Sequence, residues 1–207
     1  MSERLVDRTL RAFSDDLASA APVPGGGSAA AYAGALGAAL SAMVARIAAK
    51  KSDDAWADYI TEMENLRADF LRLVDDDSAA YARVAEAMKL PKATEEEKQV
   101  RAERLQSALL AASRVPLEVA KTGRRLLEAC ERGASKASGP TVSDIGVGAL
   151  MAEAAIRGAA LNVMINLASV KDPAQVKALS EDLDRALEGA EAQSKRITDF
   201  VETRIAR

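Results

Sequence analysis

Apolar positions along this chain recur every three or four residues, in segments that differ sharply in how much charge surrounds them. From Glu3 to about Ala18, Leu5, Thr9, Leu10, Phe13 and Leu17 fall on one helical face. A second helix is predicted after "PVPGGG", with Ser28 as its expected cap, continuing to about Ala49. No charged residue occurs from Leu17 through Ala45, so this helix is expected to be buried nearly all round. Ala30, Gly34, Ala38 and Ala42 recur every fourth position beside Gly37 and Ser41, a small-residue stripe that lets another helix come close.

A third helix, about Asp53 to Met88, carries a seam of Trp56, Ile60, Met63, Leu66, Phe70 and Leu73. The seam then reads Asp77, followed by Tyr81, Val84 and Met88. Pro91 ends this helix. Thr94 with Glu97 forms a capping-box pattern that starts a fourth, reaching about Cys130, with Pro116 expected to kink or divide it. "RGASKASGPTVSD" has the composition of a loop. A fifth helix, about Ser143 to Val170, holds only Glu153 and Arg157 as charges after Asp144. Asp172-Pro173 signals the start of a sixth, about Ala174 to Ile205, with Val176, Leu179, Leu183, Leu187, Ala190, Ile197 and Val201 inside. Strand-like alternation, internal repeats and linkers are absent from the pattern. It predicts one all-α domain over residues 1–207: an antiparallel bundle of about six helices, two of them long, buried and rich in small residues. Part of that small-residue surface is expected to pack against a second copy of the chain.

Composition narrows the chemistry. The 207 residues are 49% hydrophobic but only 3% aromatic, so alanine carries much of the core. A net charge of -3 without a basic block argues against nucleic acid as a partner. The uncharged stretch is broken by Pro22, Pro24 and Gly25 to Gly27, and its Ala and Gly give little drive into lipid, so no membrane span is expected. The N-terminus lacks the apolar core of a signal peptide, and a cytoplasmic location is the expectation. Cys130 is the sole cysteine, so no intrachain disulfide can form. The chain has no histidine. Ser-His-Asp and Cys-His catalysis are removed, no metal site is expected, and proton transfer falls to Asp, Glu, Lys or Tyr.

Several residues can carry such chemistry, and each has a structural alternative. Pro24, Gly25, Gly26, Gly27 and Ser28 form either a tight helix–helix turn or a backbone cradle for an anion, a carbonyl oxygen or a flat ligand. Asp77 in an apolar seam is either salt-bridged, for example to an arginine of the fourth helix, or a buried acid–base group with a raised pKa. Asp76 takes its place if the register slips. Asp144, in the first turn of its helix, either complements the helix dipole or binds and acts on a ligand. Asn162 and Asn166, four apart, make interhelical hydrogen bonds or line a pocket. Lys89 and Lys92 flank a Leu-Pro corner and are either solvated or reach an anionic substrate tail.

"APVPGGGSAAAYAGALGAALSAMVARI", "YARVAEAMKLPKATEEEKQVR", "VPLEVA" and "SDIGVGALMAEAAIRGAALNVMINLASVKD" together resemble the cyclodeaminase/cyclohydrolase family, in order and over almost the whole chain. The resemblance implies an all-helical dimer acting on one-carbon tetrahydrofolate adducts, with no tightly bound cofactor. It implies hydrolysis of 5,10-methenyltetrahydrofolate, or release of ammonia from 5-formiminotetrahydrofolate. Asp144 and Asp77 would be the working carboxylates, and Lys92 would polarise a forming oxyanion or hold the glutamate tail. Arg101 would be a lesser anion contact, and the glycines would admit the pterin or the benzoyl-glutamate arm. One departure stands out: Gly133 is followed by Ala134 where the family usually carries Gly-Asn, and the loop before Ser143 is longer. An inactive folate-binding or scaffold protein is the alternative that this departure raises.

Overall fold

The computed structural model describes residues 4–50, 56–137 and 139–206. Their regular structure is a 3-10 turn, Leu5–Asp7, and seven α-helices, with no strand among the described residues. The helices are α1 (Leu10–Leu17), α2 (Gly26–Ala49), α3 (Ala57–Lys89), α4 (Glu95–Lys136), α5 (Val142–Leu167), α6 (Pro173–Leu187) and α7 (Ala190–Ile205). The all-α bundle expected from the periodicity is present, with three local differences.

The first predicted helix is interrupted. Thr9 is extended, and its side chain accepts the Ala12 amide at 3.1 Å, capping α1. Leu10 consequently faces solvent instead of an inner face. Glu3 and Asp53, the expected starts of the first and third helices, lie outside the described residues. The sixth predicted helix is two, because Gly189 adopts φ 67° and ends α6 in the left-handed conformation that glycine takes without steric cost. The third difference is at the end of α4, which continues past Cys130 to Lys136 and shortens the expected loop to the segment just before α5. Ser138 in that loop lies outside the described residues.

Thr94 and Glu97 form the expected capping box, each side chain bonding the other's backbone amide. Pro116 neither divides nor ends α4. A proline cannot donate to the carbonyl four residues back, which here is that of Ala112. Asn166 of α5 replaces the missing donor, its Nδ2 giving a 2.9 Å bond to the Ala112 oxygen. A lesion internal to one helix is thereby repaired by its neighbour.

α2 lies antiparallel to α5, with Gly26 beside Asn162, Ala30 beside Gly158 and Gly37 beside Gly148. A Cβ at Gly37 would press on the Gly148 carbonyl at 2.9 Å, and one at Gly34 would overlap the Phe70 ring of α3. The small-residue stripe therefore buys close axes, and the core needs few aromatics. α2 and α5 are also long and apolar enough to cross a membrane by length and composition. Their apolarity is used instead, on the inner side, for packing between helices.

Removing the Asn166 donor leaves the Ala112 carbonyl unpaired. Asn166→Ala is expected to cost about 1–3 kcal/mol in urea unfolding. The cost should shrink in a Pro116→Ala background, where residue 116 regains its own N–H; an undiminished cost would show that the bond has no such role.

Candidate active site

At Asp77 the α3 seam passes from the main core to a smaller apolar cluster of Ala80, Val84, Leu109 and Ala112. Before it, Leu66 and Phe70 are fully buried. After it, Tyr81 and Met88 are 44% and 53% exposed, because they line a cleft of about 400 Å³. Pro22, Val23 and Gly25 to Gly27 form one wall. Leu109 and Ala112 of α4 form the floor, and Asn162, Ile165 and Asn166 of α5 close another side. Asp77 is the only charged side chain among the lining residues.

Gly27 makes room for it. Any Cβ at that position would overlap the Asp77 carboxylate. The glycine is thus required by space, and its neighbour Gly25 is ordinary extended backbone with φ -129°. Ser28, expected from sequence to cap α2, does not do so; it lies inside the helix, fully buried. Its Oγ donates to Asp77 Oδ2 at 2.8 Å, lies 3.1 Å from the Val74 carbonyl and 3.2 Å from the Ser78 hydroxyl. Asp77 in turn stands at the open N-terminus of α2, where a carboxylate satisfies free amides. Burial pushes its pKa above the ordinary carboxylate value, against the hydrogen bonds from the Ser28 hydroxyl and amide, which pull it down. Of the two alternatives for Asp77, the salt bridge to α4 is not made: among the described residues Asp77 has no ion-pair partner.

The run Asp75-Asp76-Asp77 divides into three roles. Asp75 accepts from the Leu5 amide and Arg4 Nε at 2.8 and 2.9 Å, tying down the N-terminal turn. Asp76 pairs with Arg72 on the surface, so it is no substitute for Asp77. Only the third acid enters the cleft.

The remaining expected site residues fall into two groups. Asn162 and Asn166 line the cleft while bonding the Gly158 and Ala112 carbonyls, so both readings of these amides hold. Pro24 faces the opposite side of the loop, lining a separate hollow with Arg4 and Ser78. Lys89 and Lys92 are exposed and do not line the cleft. Arg101 is spent on α3, its guanidinium donating to the Met88 carbonyl at 3.1 Å. Asp144 is far away: the 18 helical steps of α5 from it to Asn162 span about 27 Å. Within one chain, therefore, Asp77 and Asp144 share no cleft. Gly133 and Ala134 lie buried in α4, about 33 Å along the helix from Ala112. Tyr81 and Met88 were legible only as apolar positions of the α3 seam, where the signal that they border a site is the carboxylate interrupting it, and Ile165 of α5 was not singled out from sequence.

A family sequence profile described as formiminotransferase-cyclodeaminase matches residues 9–185. The chain belongs to this family. Methenyltetrahydrofolate cyclohydrolase of Methylorubrum extorquens is 39% identical over 204 residues, covering 96% of this chain and 98% of that protein. Formimidoyltransferase-cyclodeaminase of Gallus gallus is 36% identical over 98% of this chain, which spans only 38% of the chicken protein. Among solved structures, formiminotetrahydrofolate cyclodeaminase of Thermotoga maritima superposes with a TM-score of 0.80 at 27% identity, over 95% of this chain and 96% of that one. This formiminotransferase-cyclodeaminase family member therefore shares its whole helical domain with proteins named for both chemistries.

A raised Asp77 pKa has a thermodynamic consequence. Unfolded, the side chain loses its proton near the ordinary value of about 3.9. Folded, it keeps the proton to higher pH, so between the two values the native state binds more protons and stability falls as pH rises. Asp77→Asn, which can still accept from Ser28, is expected to raise the melting temperature at neutral pH, with the gain vanishing as pH falls towards 4. A gain independent of pH would show that the carboxyl is not perturbed.

Proposed function

We propose that the protein is a methenyltetrahydrofolate cyclohydrolase, converting 5,10-methenyltetrahydrofolate and water to 10-formyltetrahydrofolate and a proton. The observation that carries this is a lone carboxylate in a cleft whose lining holds no cationic side chain. The substrate's reactive carbon is part of an amidinium cation, which such a cleft attracts. A full-length relative named for this reaction supports it.

Ionised Asp77 stabilises the cation and accepts a proton as water adds to the amidinium carbon. Ser28 can serve both protonation states. Its hydroxyl donates to the carboxylate, and when Asp77 is protonated the hydroxyl can accept from it and turn its own proton to the Val74 carbonyl. The carboxylic acid then gives its proton to N5 as the carbon–N5 bond breaks. The adduct hydroxyl loses its proton as the formyl carbonyl forms, so one proton is released in total. Tyr81, Met88 and Ile165 offer apolar surface to the pterin and benzoyl rings, and the amides of Asn162 and Asn166 fix orientation. Lys89 and Lys92 serve the glutamate tail rather than the bond-breaking step. We assign the enzyme to the cytoplasm, as a homodimer with no tightly bound cofactor.

A second reading, cyclodeaminase, is favoured by the family profile and by the Thermotoga structure. There N10 attacks the formimino carbon and ammonia leaves, with the same carboxylate moving protons.

Purified protein is expected to accelerate loss of the methenyl chromophore, and Asp77→Asn to lower kcat/KM by about 10²–10⁴-fold. Ammonia release from 5-formiminotetrahydrofolate, without methenyl hydrolysis, would establish the second reading. Turnover of neither adduct would refute both.

A further inference from the structure

Two hollows lie back to back across the loop that leads into α2. One is the Asp77 cleft. The other, of about 530 Å³, is lined by Arg4, Arg8, Asp16, Pro24, Asp75 and Ser78 among others. Val23 lines both, so only a thin wall separates them there. Ser28 is fully buried and touches one residue of each hollow. Its hydroxyl lies 2.8 Å from Asp77 Oδ2 on the cleft side and 3.2 Å from the half-buried Ser78 hydroxyl on the other, with the Val74 carbonyl at 3.1 Å. A hydroxyl has one proton to donate and two lone pairs that accept. The carboxylate or the Val74 carbonyl alone would satisfy that proton. Ser78 is not needed for it, yet its hydroxyl makes the hydrogen-bonded chain continuous from one hollow to the other.

The proposed chemistry leaves a proton to be moved. After Asp77 has protonated N5, the regenerated carboxylate takes the proton of the adduct hydroxyl as the formyl carbonyl forms. The next cycle needs that carboxyl ionised again, so one proton per turnover must reach solvent while product still fills the cleft. Apart from Asp77 and the Tyr81 phenol, no titratable side chain lines the cleft among the described residues. The Nδ2 groups of Asn162 and Asn166 are held by the Gly158 and Ala112 carbonyls.

We propose that Ser78 is the exit of a proton relay, running from Asp77 through Ser28 to Ser78, that discharges the cleft into the second hollow. The carboxylic acid gives its proton to Ser28 Oγ, Ser28 passes its own to Ser78 Oγ, and Ser78 passes its own to water in the hollow. Each O–H bond broken is matched by one formed, and the net result is ionised Asp77 and one hydrated proton. Rotation of the two hydroxyls resets the chain. At the exit, Arg4 is paired with Asp75 and Arg8 with Asp16, so no unbalanced positive charge opposes the arriving proton. Ser78 touches no reacting atom and acts only through Ser28 and Asp77. The relay rests on the enzyme reading above.

Ser78→Thr and Ser78→Val have the same shape and differ by the hydroxyl, so comparing them in the full-length protein tests the relay. Ser78→Thr is expected to keep kcat for methenyl hydrolysis near the wild-type value. Ser78→Val is expected to lower kcat about tenfold with KM unchanged, less than the loss of the carboxylate that touches substrate. Adding a small proton acceptor such as imidazole is expected to restore kcat in Ser78→Val above the uncatalysed rate and to leave wild type unchanged, because proton release limits only the variant. A packing defect would not respond to buffer. Equal rates for the two variants, or a loss that buffer does not relieve, overturns the relay while the wild-type enzyme remains active. If neither branched side chain allows folding, Ser78→Ala against wild type is read by the same buffer dependence. If the chain acts only on the formimino adduct, ammonia release replaces methenyl loss and the same comparison decides. A wild-type protein that turns over neither adduct removes the enzyme reading and the relay with it.

Discussion

The contact between Ser28 and Asp77 is the constraint around which the functional end of this bundle is arranged. A carboxylate is placed on an apolar helix seam, at the point where that seam passes from the main core to the smaller cluster around Val84. It survives there because α2 begins opposite it, offering a hydroxyl and a free amide, and because Gly27 has no side chain to exclude it. Burial without an ion pair raises its proton affinity above that of an ordinary carboxylate, against the pull of the Ser28 hydrogen bonds. The same residues serve as helix cap and as candidate acid–base group, so stability and chemistry are drawn from one contact.

The rest of the fold keeps that contact in place with unusually little bulk. α2 and α5 approach through glycine and alanine, and their antiparallel arrangement brings the C-terminal part of α5 to the N-terminus of α2. Asn162 and Asn166 arrive at the cleft by that route. Asn166 also repairs the hydrogen bond that Pro116 denies α4, so the wall of the cleft and the continuity of the longest helix depend on one amide.

Much of this was legible in the order of residues. Helical periodicity located the long helices to within a few residues, and the acid interrupting the α3 seam pointed to Asp77. The breaks at Thr9 and Gly189 escaped because each rests on one residue whose local preference opposes a longer amphipathic pattern. Ser28 read as a cap because serine before an apolar run usually is one; a carboxylate arriving from another helix took over that role. Asp144 was grouped with Asp77 because sequence reports which helix a residue occupies but not which end of it meets a given loop. Antiparallel packing sets the two apart within a chain.

The most direct test of the account is a crystal structure of the protein with a non-hydrolysable analogue of the methenyl adduct. The analogue's amidinium carbon is expected beside Asp77, in direct contact or through one water, with its rings against Tyr81 and Ile165. An analogue bound in the hollow beside Pro24, or in the cavity by Arg204, with Asp77 untouched, would contradict it.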